Sequence, residues 1–266
     1  WLLPAFLHNQ VASVVTSSFV VASIGAFYVL RDKNLEYGKL FLKTGVIFGL
    51  VSSLLLAFPT GDLNAKNVAK YQPAAFAAME GIFETEDAGA EIVLIGQPDM
   101  VRKKLDNKIA VPNILSFLTY QEWDKQIAGM DQFKKEELPS NIPALYYSYH
   151  IMVGLGTIFI AIMGLAVFLL WKRKLYSFKP LLWSILFLVP FPYIANITGW
   201  YTAELGRQPY LVYGLLKTSE GVSPNVSSGN TLFTLLGFVA LYMLLGLLFL
   251  ILVGKTIYQG PIHQKH

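Results

Sequence analysis

Few side chains here can carry redox, metal or proton chemistry, and they stand far apart in the chain. There is no cysteine, which excludes disulfides, thiolate-bound zinc, iron–sulfur clusters and thiol catalysis. Any metal centre must therefore rest on His, Met, Asp, Glu or Tyr. The four histidines are His8, His150, His263 and His266. Met152 follows His150 by two positions, and imidazole and thioether are both metal ligands. In the segment Gly199–Pro209, Glu204 and Arg207 stand three apart beside Trp200. A carboxylate there can bind a metal, and a guanidinium fork matches a carboxylate partner. Glu80 closes a run of small residues, Gln72–Gly81, where it could accept a proton.

The elements that must position these residues follow from composition. The chain of 266 residues is 54% hydrophobic and only 14% charged, with a mean hydropathy of +0.49. A soluble domain is about a quarter charged. The deficit excludes a soluble enzyme, a disordered chain and a nucleic-acid binder, and it predicts an all-α polytopic membrane protein. A membrane-crossing helix needs about 20 mostly apolar residues. Five stretches qualify: 4–30, 40–58, 143–171, 180–200 (broken by Pro190 and Pro192) and 231–254. The chain starts at Trp1 rather than Met and already reads as the entrance to a membrane helix. It lacks the charged leader and cleavage site of a signal peptide, so further sequence or a partner chain is expected to complete it.

The loops sort by charge. Arg31, Lys33 and Lys39 lie between the first two spans, with Lys43 at the edge, and Lys172, Arg173, Lys174 and Lys179 between the third and fourth. Lys255 and Lys265 follow the fifth. Basic loops face the cytoplasm, so segments 59–141 and 201–230 lie outside. Three parts result: spans one and two (1–58), a long extracytoplasmic loop (59–141) and spans three to five (142–266). The loop holds 13 of the 17 acidic residues. A short amphipathic helix is expected over Gln72–Phe83, lying at the outer surface, with irregular chain from there through Asn107.

This topology places His8 and Met152 at similar depth, each within about two turns of the outer boundary. A His on one helix and a Met on another can hold one low-spin haem iron. His8 with His150 is the competing pair. An intramembrane His also serves as a plain interhelical hydrogen-bonding group, and Met152 as core packing. His263 and His266 read as solvated tail residues, and the Glu204–Arg207 pair also reads as a surface ion pair.

Together these segments resemble subunit I of the cytochrome bd-type quinol oxidases. Gly199–Pro209 is similar to that family's GWxxxExGRQPW motif, with Tyr210 in place of the final Trp. Tyr147–Gly154 (YSYHIMVG) is similar to its FxFRIMVG helix. Phe6–Ser18 is similar to the helix that supplies the opposing His, and Gln72–Glu80 to the start of its quinol-binding loop. The resemblance implies that His8 and Met152 ligate a low-spin haem b. It implies that Glu204 ligates or neighbours a high-spin haem (b or d), that Arg207 holds propionates, that Trp200 lies between haems and that Glu80 belongs to the quinol site. It also implies a multi-pass protein of the prokaryotic cell membrane, in contact with lipid and quinol and assembled with subunit II. Its activity would be quinol:oxygen oxidoreduction.

Three departures stand out. His150 replaces the family's Arg, leaving its role open. Ala75 replaces a loop Lys, with Lys70 as a candidate substitute. Four further helices of the family do not precede His8, so a chain carrying them is an expected partner. Two alternatives stay open: a bd-like, quinol-oxidising haem b electron-transfer subunit that does not itself reduce oxygen, and a haem-free transporter or scaffold.

Overall fold

The computed structural model describes residues 2–86 and 89–261; His263 and His266 lie outside the described residues. Helix α1, Leu2–Leu30, contains no Asp, Glu, Lys or Arg. In lipid its backbone groups have no water to bond, so they must pair along the helix. Helix α2 follows at Leu35–Leu55 and opens into a wider π turn over Leu56–Gly61. α1 and α2 cross very closely. A Cβ added to Gly25 would lie 2.3 Å from the Leu42 amide nitrogen, the approach that small residues permit between membrane helices.

The stretch Gln72–Phe83 is not a surface helix, and the chain from there through Asn107 is not irregular throughout. Helix α3, Asp62–Tyr71, leads into α4, Pro73–Glu80. Every residue of α4 from Ala74 to Glu80 is buried. The surface helix expected here is in fact an inner one, because four alanines let neighbours pack close on all sides. Strands β1, Ile92–Asp99, and β2, Lys104–Val111, form an antiparallel hairpin where irregular chain was expected. Asp99 closes its turn by accepting from the Val101 and Arg102 amides at 2.8 and 2.9 Å. Helix α5, Ile114–Tyr120, comes next. Phe76, Met79, Leu115, Ile127, Met130 and Leu145 give this region its own core.

Helix α6, Ile142–Trp171, returns through the membrane. Helices α7, Lys179–Phe187, and α8, Pro190–Gly206, form a pair bent by 41° at a short break. The break precedes Pro190, which has no N–H to continue the ladder. There the Ser23 hydroxyl donates to the Ile185 carbonyl at 2.8 Å. Short strands β3, Tyr210–Val212, and β4, Leu216–Lys217, precede the final helix α9, Ser228–Gln259. Among the described residues, four helices are long and apolar enough to cross a membrane, or five if the bent pair counts as one. This agrees with the five expected spans. A second core, with Phe19, Leu42, Val46, Phe159, Met163 and Leu182, joins α1, α2, α6 and α7. No residue of α9 is buried. It meets the bundle at its end, where the Tyr28 hydroxyl donates to the Ile257 carbonyl at 2.9 Å and Arg31 covers the Tyr258 ring at 4.7 Å.

The Gly25 crossing makes a direct prediction. Gly25→Leu should cost more than the ~1–3 kcal/mol usual for overpacking, because the clash is with backbone. Gly237→Leu on α9, where an added Cβ meets nothing within 4 Å, should be tolerated. The yield of monodisperse protein in detergent separates the two.

Candidate functional site

The outer ends of α1, α4, α6 and α8 bring the candidate residues into one region. On α6, the Tyr149 hydroxyl donates to Glu80 Oε1 at 2.6 Å. Glu80 is 2% exposed. Burial pushes its carboxyl up to about 7, and the Tyr149 hydrogen bond, which favours the charged form, holds it back from rising further. A carboxyl poised there exchanges protons readily at neutral pH. Lys70 does not take the place of the missing lysine at this bond. It is exposed, with its ammonium over the Tyr71 ring at 5.0 Å.

His150 sits one residue further along. Its Nδ1 faces the Tyr146 carbonyl at 2.9 Å and its Nε2 faces the Val93 carbonyl at 3.1 Å. Both nitrogens therefore point at backbone, and the ring ties β1 to α6. Tyr146 stacks on it with ring centroids 3.9 Å apart. The Tyr146 hydroxyl is buried with no hydrogen-bond partner.

His8 lies on α1 beside the π turn, with Nδ1 3.3 Å from Thr60 Oγ1. Met152 projects from α6 onto α8, where a Cβ added to Gly199 would lie 2.8 Å from its sulfur. Two contacts set the relative depth of His8 and Met152. Phe19 on α1 meets Phe159 on α6 at 4.7 Å between centroids. At 1.5 Å per residue, His8 stands about 16 Å outward of Phe19 and Met152 about 10 Å outward of Phe159. Asn196 Nδ2 on α8 donates to Thr16 Oγ1 on α1 at 2.8 Å. By that second ruler His8 lies about 12 Å outward of Thr16, and Gly199 about 5 Å outward of Asn196. Both put His8 somewhat more than one helical turn further along than Met152.

At the end of α8, Arg207 donates through Nε and Nη2 to one oxygen of Glu204, Oε2, at 2.9 and 2.6 Å. Both side chains are 38% exposed, so the pair itself contributes little stability. Trp200 is exposed beside Tyr201. Gly206 packs near Ala75, with an added Cβ 3.8 Å from the alanine's, so the α8 end and the Glu80 helix touch.

The α4, α6 and α8 segments quoted from the sequence therefore meet in space, in a chain that carries one family pattern over nearly its whole length. The model of the family described as cytochrome bd terminal oxidase subunit I matches residues 1–261. The chain belongs to that family. The cytochrome bd ubiquinol oxidase subunit 1 of Bacillus subtilis strain 168 is 32% identical over 269 residues, covering 98% of this chain and 57% of the relative. The cytochrome bd-II ubiquinol oxidase subunit 1 of Escherichia coli strain K12 is 23% identical over 320 residues, covering 96% and 62%. Among solved structures, the bd oxidase from Geobacillus thermodenitrificans superposes with a TM-score of 0.84 at 26% identity, covering 96% of this chain and 57% of that one. The chain spans less than two thirds of the length of each.

As a cytochrome bd subunit I, it is a multi-pass protein of the bacterial cell membrane, and its family carries haem. The residues present fit such a group. His8 offers an imidazole whose Nδ1 faces Thr60 Oγ1, with the Leu56 carbonyl as a second acceptor for the ring. Beside Met152, one turn along α6, a Cβ added to Gly156 meets nothing within 4 Å, which leaves open space on that face. Sequence reasoning about this subunit I missed Tyr149 and Thr60. Tyr149 stands inside the quoted α6 segment, three residues before Met152, and was legible there as a hydroxyl. Thr60 gave no signal, because it meets His8 only through the turn at Pro59.

The Glu80–Tyr149 bond has a consequence for titration. Removing its donor in Tyr149→Phe takes away the contact that favours the Glu80 carboxylate, so the Glu80 titration should move to higher pH. An infrared pH titration of the Glu80 carboxyl should shift its acid limb towards alkaline pH. An unmoved limb would detach Tyr149 from Glu80.

Proposed function

We propose that this chain is the quinol- and haem-binding part of a bd-type quinol oxidase subunit I. The single observation that carries the reading is a dry carboxyl, Glu80, poised near neutral pH on a helix that touches both haem-ligand candidate helices, α6 and α8. Glu80 takes a proton from a quinol hydroxyl at the outer face, with Tyr149 steadying the charged form that must do so. Oxidation of one quinol releases two protons and two electrons, and the outward position of Glu80 sends the protons outside. His150 and Tyr146 hold the β1–β2 hairpin beside this acid.

In this reading His8, through Nε2, and Met152, through its sulfur, would hold a low-spin haem b. Haem iron supplies one-electron chemistry there, at a potential raised by thioether ligation. On the same reading Glu204 would hold the iron of a second haem, b or d, Arg207 would pair with a propionate and Trp200 would lie between the two groups. Reduction of oxygen to water would require a chain carrying the further helices of the family, together with subunit II.

Two expected outcomes test the reading in the assembled complex. Met152→Leu should abolish the low-spin haem b band in the reduced-minus-oxidised spectrum, and survival of that band would remove Met152 as a ligand. Glu80→Gln should lower quinol oxidation by about 10²–10⁴-fold, the usual worth of a general base, while leaving the haem spectrum intact. Wild-type turnover should rise as pH climbs through about 7, because the carboxylate is the accepting form. The variant should lose that rise.

A further inference from the structure

The hydrogen count at Thr60 determines which nitrogen of His8 is free. Pro59 has no N–H to give to the carbonyl of Leu55. It also disfavours helical geometry at the residue before it. Phe58 accordingly sits at φ −133°, ψ 119°, and the helix opens into its π turn. The Thr60 hydroxyl turns back into this opening, with the Leu55 carbonyl 3.0 Å and the Leu56 carbonyl 3.1 Å from its oxygen. A hydroxyl has one hydrogen, and a carbonyl can only accept. That hydrogen is therefore committed to the turn, so the hydroxyl oxygen faces Nδ1 as an acceptor, alongside the Leu56 carbonyl, which also takes a hydrogen bond from the ring. Gly61 lets the turn close on the ring: a Cβ there would lie 2.7 Å from the Leu56 carbonyl oxygen and 3.5 Å from His8 Cε1.

We propose that Thr60 is a positioning residue for His8, taking the hydrogen bond of Nδ1–H and so presenting the unprotonated Nε2 for iron. A neutral imidazole carrying its hydrogen on Nδ1 has its lone pair on Nε2. Metal-bound histidines regularly donate their second N–H to such a partner, which fixes the tautomer and ring plane and raises ligand basicity. A more basic imidazole favours ferric over ferrous iron, so loss of the acceptor raises the midpoint potential. The π turn thus acts as a bracket: proline opens it, the threonine hydroxyl spans it, and the histidine ring rests on it. The proposal rests on His8 being an axial ligand.

The experiment uses the assembled complex with its haems. The wild type, Thr60→Ser, Thr60→Val and Thr60→Ala are compared by redox titration of the low-spin haem and by pulsed electron paramagnetic resonance of the remote axial-imidazole nitrogen. Thr60→Ser keeps the hydroxyl and should match the wild type in both. Thr60→Val and Thr60→Ala should raise the midpoint potential, change the remote-nitrogen signal and lower haem affinity at this site by about 10-fold. Alanine relieves any crowding by valine, so an assembly failure confined to Thr60→Val leaves the comparison in place. An unchanged potential and remote-nitrogen signal in the variants lacking the hydroxyl would overturn the proposal. So would a serine variant that behaves like alanine. His8→Ala separates this from the parent reading: if the low-spin signal survives that change, His8 is not the ligand.

Discussion

A carboxyl group stripped of water needs a partner, and the arrangement of the outer half of this protein follows from that need at Glu80. The acid stands at the C-terminal end of a helix half made of alanine, which brings α6 and α8 close. The Tyr149 hydroxyl meets it from α6. An unmet buried polar group costs about 1–3 kcal/mol, so the bond also fixes how α4 docks. Around it the hairpin is tied down through His150, and the end of α8 with Glu204 and Arg207 rests on Ala75 through Gly206. One buried acid thus sits where proton chemistry and the haem-ligand candidates meet.

The membrane imposes the same requirement elsewhere. Ser23 donates to a carbonyl at the α7–α8 break, Thr60 spans the π turn, and Asn196 reaches across to Thr16. Each is a polar side chain placed where the helical ladder is interrupted or where two helices must hold register. These contacts also set depth, which is why His8 and Met152 can be compared along helices that meet lower down through Phe19 and Phe159.

The spans were legible because lipid demands long apolar runs. The α4 helix was legible as a helix but misjudged as a surface one. Alanine suits an exposed helix and a crowded one equally, and only the neighbours decide. The β1–β2 hairpin was missed, since Gly96 and Pro98 weaken the strand pattern of Ile92–Asp99. Met152, Glu204 and Arg207 were visible inside quoted motifs. Thr60 was not, because its partner stands 52 positions away in sequence and no spacing encodes that meeting.

The central claim is that Glu80 receives the proton of the bound quinol. It is tested most directly by the redox-difference infrared spectrum of the quinol-loaded complex, wild type against Glu80→Gln. The account predicts a carboxyl C=O band that changes with quinol oxidation in the wild type and is missing from the variant. Identical spectra for the two would contradict it.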